Sequence, residues 1–175
     1  MTWLLTWTTY GTRLPGDRRG FVSGVRTATG EVVVHNQPGT AVDADLPGLR
    51  RDAESIMTQP AVWLTPEQAA SVSVQFRETA ANRNWTLLAF AVMSNHVHLV
   101  VEVADEVPAA KLLTDFKAYT TRRLNADRSP GSKQRWWTER GSTRALRYPD
   151  AVEGAIAYVK RQELPFVIWL ADEVA

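Results

Sequence analysis

The stretch WTLLAFAVMSNHVHLVVEV, residues 85–103, decides the fold. Its first half, Trp85 to Met93, is a continuous apolar run of the kind found in strands that are buried on both faces. Ser94 and Asn95 are turn residues, and the chain then returns through His96 to Val103 as a second apolar strand. The stretch therefore predicts an antiparallel β-hairpin.

Helices and further strands are predicted on either side of this hairpin. The predicted strands are Trp3 to Tyr10 and Thr143 to Tyr148, and the predicted helices are Thr65 to about Ala81, Ala109 to about Asn125 and Asp150 to about Gln162 or Glu163. This order favours an α+β fold, an antiparallel sheet with helices on one face. Residues 12 to 62 are rich in Gly, Pro, Asp and Thr, and only Glu31 to His35 is typical of a strand. We expect the remainder of that span to be a long ordered loop or insertion.

Length and composition restrict the protein class. The 175 residues fit one domain, and 45% hydrophobic residues are enough to form a core. The absence of cysteine excludes disulfides and thiolate metal sites. No apolar stretch reaches the roughly 18 residues of a membrane span, and the N-terminal residues lack the pattern of a signal peptide. A soluble cytoplasmic protein is therefore expected.

His96 and His98 are the clearest candidates for chemistry. Strand side chains alternate between faces, so these two imidazoles should project from one face with their Cα atoms about 7 Å apart. Two imidazoles so placed can share a divalent cation, with a third ligand and a substrate oxygen completing the shell. Imidazole and oxygen ligands suit Mn²⁺ well and Mg²⁺ less well.

A nucleophile is the second requirement, and Tyr158 is the first candidate. Gln162 follows it by four residues, so on a helix a phenol and an amide would share one face. The phenol could attack and the amide oxygen could ligate. Tyr119 is the rival, because it lies beside basic groups that could lower the pKa of a phenol.

Basic residues are concentrated between Lys111 and Arg147, where three acidic residues, Asp115, Asp127 and Glu139, oppose ten basic ones. Such a distribution can neutralise phosphates, and it is equally compatible with a solvated helix face and loops. Tryptophan rings next to these charges could stack on unpaired bases, although a tryptophan pair is at least as often part of the core. The candidate DNA-binding residues are Lys117, Arg122, Arg123, Arg135, Trp136, Trp137 and Arg140.

The histidine segment, AVMSNHVHLVV at residues 91–101, resembles the His-hydrophobic-His (HUH) segment of single-tyrosine transposases. That family includes insertion-sequence transposases and REP-associated tyrosine transposases. The final helix, IAYVKRQELP at residues 156–165, is similar to the family's tyrosine helix. Further similar segments are TWTTYGTRLPGD at residues 6–17, FKAYTTRRLN at 116–125 and WTERGSTR at 137–144.

The resemblance implies a ferredoxin-like sheet that carries an HUH metal site. It implies cleavage of single-stranded or hairpin DNA through a 5′-phosphotyrosine, with Mg²⁺ or Mn²⁺ as cofactor. His96 and His98 would be metal ligands, Tyr158 the nucleophile and Gln162 the third ligand. The family often has Asn-Pro shortly after the tyrosine, whereas this chain has Gln-Glu-Leu-Pro, so Glu163 is an alternative third ligand. The span 12 to 62 is longer than the compact family core.

Three other functions stay open at this point. The chain could be a hydrolytic metal-dependent nuclease that uses water as nucleophile. It could be a domesticated transposase-like protein that binds DNA hairpins without cutting them, or an interaction module with incidental histidines. A homodimer is compatible with every one of these functions.

Overall fold

The structure is a computed structural model that describes residues 1–18, 23–26, 32–35, 45–126, 128 and 134–173. The chain divides into two compact units, Met1–Tyr10 with Val62–Ala175, and Gly11–Ala61. In chain order the elements are β1 (Thr2–Thr8), β2 (Ser23–Arg26), β3 (Val32–His35), α1 (Pro47–Ser55), α2 (Pro66–Arg83), β4 (Thr86–Val92), β5 (His96–Glu102), α3 (Ala109–Ala126), β6 (Ser142–Leu146), α4 (Pro149–Lys160) and β7 (Val167–Leu170), followed by a 3-10 turn at Ala171–Glu173.

The first unit is built on a five-stranded antiparallel sheet in the order β6-β1-β5-β4-β7. The succession β1-α2-β4-β5-α3-β6 is the βαββαβ pattern of ferredoxin-like folds, and α4 and β7 are added to it. The predicted hairpin is therefore confirmed as β4 and β5, and the α+β fold class is confirmed. Strand β7 was not expected from the sequence, because its four residues follow Pro165 and present no clear alternation.

The sequence predicts helices on one face of the sheet, but the structure has helices on both faces. One core layer contains Phe76 of α2 and Leu112 and Phe116 of α3, packed on Trp7 and Phe90. The other layer contains Ala155 and Val159 of α4, packed on Ala89, Ala91 and Val100. Both faces of β4 and β5 need cover because both strands are apolar throughout, and a helix layer on each face provides it.

Local signals place α2 where the sequence predicts it. Thr65 and Gln68 form a reciprocal capping box, with N···O distances of 3.0 and 3.3 Å, and Pro66 opens the helix. Asn84, in the left-handed region at φ 55°, ends it. Helix α4 is shorter than predicted, since it ends at Lys160 and begins at Pro149 rather than at a cap by Asp150.

The second unit contains regular secondary structure within residues 12 to 62, where the sequence predicts a long ordered loop or insertion with one short strand. It contains an antiparallel hairpin, β2 with β3, in which Val25 pairs with Val33. It also contains α1, which has no buried residue. Its N-cap, Leu46, makes no side-chain cap bond, and its first and last turns lack the usual acidic and basic residues, so most sequence signals of a helix end are missing. Glu31, the first residue of the predicted strand, lies outside the described residues.

Phe76 is the centre of the larger core layer. Its ring makes edge-to-face contacts with Trp7, Phe90 and Phe116 at centroid distances of 5.6, 5.4 and 5.5 Å. We expect Phe76→Ala to lower the free energy of unfolding by about 3–5 kcal/mol, because it leaves a cavity among rings that cannot collapse into it. Urea denaturation measures this change. Arg77→Ala, at the exposed neighbouring position, is the control and should change stability little; equal losses in the two variants would contradict this account of the core.

Candidate active site

His96 and His98 lie together on the α4 face of β5. The alternate residues Val97 and Leu99 are fully buried in the opposite layer with α2 and α3. The two imidazole rings are 5.0 Å apart between centroids and are nearly perpendicular, at 85°. The shared face that strand alternation predicts is therefore formed.

His98 is held at both ring nitrogens. Its Nδ1 lies 2.8 Å from the Thr6 hydroxyl on β1, and its Nε2 lies 3.3 Å from the Tyr158 hydroxyl on α4. Thr6 can reach it because Thr6 and His98 are directly paired residues of β1 and β5. On the other side His98 faces Ala91 of β4, whose small side chain leaves space above the sheet.

Burial controls the charge of His98. The side chain is 5% exposed, and this burial, with a smaller repulsion from His96, lowers the pKa of His98 from 6.5 to about 4. The imidazole is therefore neutral at pH 7. A neutral ring with Nδ1 donating to Thr6 keeps the Nε2 lone pair for an acceptor role or for a metal ion.

His96 is oriented by its neighbour in sequence. Its Nδ1 lies 2.6 Å from Oδ1 of Asn95. An amide oxygen only accepts hydrogen bonds, so Nδ1 must donate and the lone pair of a neutral His96 is on Nε2. Both histidines can therefore adopt the same tautomer, with Nδ1 bonded to an oxygen and Nε2 as the basic nitrogen.

Tyr158 reaches His98 from α4. Ala155 and Val159 of α4 are buried against the sheet, and Tyr158 flanks that stripe with 44% of its surface exposed. Its ring meets the His98 ring at 4.9 Å between centroids and 75° between planes. A phenol that touches the candidate metal-binding face and is also open to solvent is suitably placed to meet a large substrate.

The amide of Gln162, the predicted third ligand, bonds to the backbone of α4. Gln162 lies beyond the end of α4, and its Nε2 donates to the Tyr158 carbonyl oxygen at 3.1 Å. The helical i, i+4 relation between the two side chains is therefore lost. Glu163 is exposed in the bend that follows. Within the described part of the chain, no group of three His, Asp or Glu side chains is placed to hold a metal ion.

Tyr119, the rival nucleophile, lies on the other side of the sheet. It belongs to α3, whose core residues pack in the layer opposite the histidines. Its hydroxyl accepts from Arg83 at 3.1 Å, and the Arg122 guanidinium lies 5.0 Å from its ring centroid. The sheet thus separates Tyr119 from His96 and His98.

Two of the candidate DNA-binding cations are already used inside the protein. The Lys117 ammonium donates to the carbonyl oxygens of Thr138, Glu139 and Arg140 at 2.9, 3.2 and 2.9 Å, and burial lowers the pKa of Lys117 to about 8. Arg123 donates to Ser71 and is ion-paired with Glu78 of α2 at 2.8 Å. Lys117 thus connects α3 to the segment before β6, and Arg123 connects α3 to α2. Arg122, Arg135 and Arg140 remain exposed at the surface.

The tryptophan pair is part of the core. Trp136 and Trp137 are 2% and 5% exposed, and their indole N–H groups donate to Asn125 and Thr120. The predicted stacking on bases is therefore wrong for this conformation, because neither ring offers an open face. Asp127 and Lys133 of the basic segment lie outside the described residues.

Thr6 is the site residue that the sequence did not single out as functional. Its role depends on which strand lies beside β5 and in which register, and neither is encoded locally. Asn95 directly precedes His96, but the residue type indicates only a turn.

A family model matches the part of the chain that carries the two histidines. Residues 60–144 match the family model described as transposase IS200 like. The match confirms the resemblance that the histidine segment carries. The IS200-like segment contains His96 and His98 and ends before Tyr158. No curated protein matches the chain.

Solved structures resemble the chain at low sequence identity. A REP-associated tyrosine transposase bound to a REP hairpin has a TM-score of 0.50 and 11% identity over 90% of this chain. The chain spans 63% of that protein's length. A candidate transposase from Deinococcus radiodurans R1 has a TM-score of 0.48 and 14% identity, over 94% of this chain and 92% of that one. The similarity to the REP-associated tyrosine transposase supports the α+β fold described above.

No helix in the described ranges is both long enough and apolar enough to cross a membrane.

The lowered pKa of His98 predicts an acid-sensitive fold. The unfolded chain binds this proton near pH 6.5 and the folded protein only near pH 4, so the free energy of unfolding should fall as the pH falls between those values. His98→Gln removes the titrating group. Urea midpoints of both proteins, measured across this window, should therefore fall more steeply for the native protein. Above about pH 7 the difference between them should be constant. Parallel profiles throughout the window would contradict the prediction.

Proposed function

We propose that this chain is a metal-dependent single-strand DNA endonuclease and strand transferase that acts through a 5′-phosphotyrosine on Tyr158. The observation that carries the proposal is the 3.3 Å contact between the Tyr158 hydroxyl and Nε2 of His98. The match to the transposase family over residues 60–144 supports DNA as the substrate class. The hairpin bound by the structural neighbour makes hairpin DNA the first substrate to test.

The histidine pair fits two positions of a divalent metal site. Both rings are fixed at Nδ1 by an oxygen, which is the usual way in which a protein orients an imidazole ligand. A cation held there would polarise the scissile phosphate and stabilise charge on its oxygens. Phosphate oxygens and water are hard ligands that Mg²⁺ and Mn²⁺ accept. Gln162 or Glu163 is the proposed third protein ligand, and each would have to turn from its present position.

The reaction balances without a further reagent. The Tyr158 oxygen loses its proton and bonds to phosphorus, and the bond from phosphorus to the 3′ oxygen breaks. The leaving 3′ oxygen takes up a proton and becomes a free 3′-OH, while the 5′ end stays on the tyrosine. A 3′-OH from another strand can then attack the phosphotyrosine and release the phenol, so the bond is transferred rather than hydrolysed.

Tyr158→Phe tests the nucleophile directly. The change removes one hydroxyl, so metal and DNA binding should persist while strand cleavage and the covalent adduct disappear. A labelled single-stranded hairpin library with Mn²⁺, separated on denaturing gels, measures both products.

Tyr119→Phe is the matched control for this experiment, because it removes an equivalent hydroxyl on the other face of the sheet. It should leave cleavage within a small factor. A covalent adduct that persists in Tyr158→Phe would overturn the assignment. Cleavage without any adduct in the native protein would indicate a hydrolytic nuclease.

Thr6 provides a test of the metal site. Thr6→Val keeps the β-branched shape but removes the oxygen at His98 Nδ1, so we expect Mn²⁺ affinity to fall by about 10–100-fold. Thr6→Ser should restore most of it. Isothermal titration calorimetry measures the Mn²⁺ affinity of each variant. The double variant His96→Ala, His98→Ala gives the background binding of a protein that lacks the site.

Thr8→Val is the control for position, because Thr8 lies opposite His96 but its hydroxyl donates to Thr138. It should change Mn²⁺ affinity little. If Thr6→Val binds Mn²⁺ as tightly as the native protein, the Thr6 hydroxyl does not orient a metal ligand.

Hairpin binding without cleavage is a second candidate function. It is favoured by the absence, among the described residues, of a cluster of three His, Asp or Glu side chains. A protein of this type would bind hairpin DNA equally well with and without Mn²⁺ and would form no adduct. The gel experiment and a binding titration distinguish the two functions.

A further inference from the structure

One strip of the histidine face is not covered by α4. We define the β6 strip as Thr6 and Thr8 of β1 with Ser142 and Arg144 of β6, all on the face that carries His98. Leu146, at the far end of β6, is buried with residues of α4, whereas Arg144 and Ser142 are exposed. Thr6 and Thr8 are half-buried. The strip therefore forms an open polar floor beside the covered part of the sheet.

Strand register connects this strip to the active site. Ser142 pairs with Thr6, and Thr6 pairs with His98, so the three residues form one row across the sheet. Neighbouring strands lie about 4.8 Å apart, so Ser142 is about 10 Å from His98 along that row. Arg144 stands in the adjacent row of the same face, opposite Leu4. A linear ligand entering over β6 would reach His98 and Tyr158 directly.

The chemistry of the strip suits a phosphodiester chain. Residues 140–148 contain Arg140, Arg144 and Arg147 and no acidic residue. Hydroxyl and guanidinium groups are the usual partners of phosphate oxygens. Strand β6 is also the terminal strand of the five-stranded sheet, and no further strand among the described residues pairs with its outer edge.

The segment before β6 is fixed in place. Lys117 holds the carbonyl oxygens of residues 138–140 from inside the protein, and the Thr138 hydroxyl donates to the Arg140 carbonyl at 3.0 Å. These bonds occupy the carbonyl acceptors that would otherwise repel phosphate. They also anchor the backbone that carries Arg140 beside the strip, so little ordering remains for the bound state.

We propose that a single DNA strand lies along the β6 strip, with its phosphates at Arg144 and Arg140 and its path leading to Tyr158. This inference rests on the proposed function, because it takes DNA as the ligand of the site. Arg144 binds a phosphate of the DNA strand, and Ser142 lies on the sheet surface beneath the DNA.

Cross-linking tests the path of the strand. The chain has no cysteine, so Ser142→Cys places one thiol on the strip. The probe is a single-stranded oligonucleotide with a thiol tether on an internal phosphate, used without metal in the Tyr158→Phe background. Thr114→Cys, exposed on α3, is the control on the other helix layer. We expect at least tenfold more protein–DNA disulfide at Ser142→Cys.

Equal yields at the two positions would overturn the proposal. A Ser142→Cys protein that forms a disulfide-linked dimer, and no DNA disulfide, would also overturn it. In that case the β6 edge would be an interface between two copies of the chain.

Charge removal tests the role of Arg144. Arg144→Gln should weaken metal-free binding of the same strand several-fold at about 0.1 M salt and lower the salt slope by about 0.7, the value for one single-strand phosphate contact. Arg77→Gln, at an exposed position of α2, is the matched control and should change neither quantity. Indistinguishable slopes for the two variants would overturn the proposal.

Failure of this inference and failure of the proposed function give different results. Cross-linking and salt slopes need neither metal nor the Tyr158 hydroxyl. A normal covalent adduct with no cross-link at Ser142→Cys would mean that the strand reaches Tyr158 by another route. A strong cross-link without an adduct would support the β6 strip and refute cleavage.

Discussion

The antiparallel pairing of β1 with β5, in one register, is the constraint on which the rest of the structure depends. It places Thr6 beside His98 and, through β6, aligns Ser142 with the same row. A slip of one residue would turn Thr6 to the opposite face and leave His98 without the oxygen at Nδ1. The apolar alternate residues Leu5 and Trp7 oppose that slip, because both are almost completely buried and would move to the half-buried positions of the opposite face.

The two helix layers have different roles: one contains most of the aromatic core and the other contains the candidate site. The α2 and α3 layer contains the large rings around Phe76 and supplies most of the aromatic packing. The α4 layer contains no aromatic ring among its described buried residues and combines small side chains such as Ala89 and Ala155 with aliphatic ones such as Leu146 and Val159. Helix α4 packs on this layer, and the Tyr158 hydroxyl lies 3.3 Å from Nε2 of His98. The stabilising core and the candidate site therefore occupy opposite faces, so the chemistry does not interrupt the main packing.

Charged residues in the basic segment have unequal roles once the fold is formed. Lys117 and Arg123 make internal bonds, and each would lose them if it turned to a phosphate. Arg140 and Arg144 project from a segment without acidic residues beside the open part of the histidine face. A count of charges along the sequence cannot distinguish these two groups, because only packing determines which cations have internal partners. For this reason the proposed DNA contact lies on β6, at Arg144, rather than on α3 at Lys117 and Arg123.

The sequence by itself determined the hairpin, the shared face of His96 and His98, and the capped start of α2, because alternation, apolar runs and capping residues act over a few neighbouring positions. It also favoured Tyr158 over Tyr119, through resemblance to the tyrosine helix. The tertiary structure alone decided the partners across the fold. It buried Trp136 and Trp137, placed Gln162 beyond the end of α4 and set Thr6 against His98. The pairing of Thr6 with His98 joins residues that are 92 positions apart, and no local pattern contains that information.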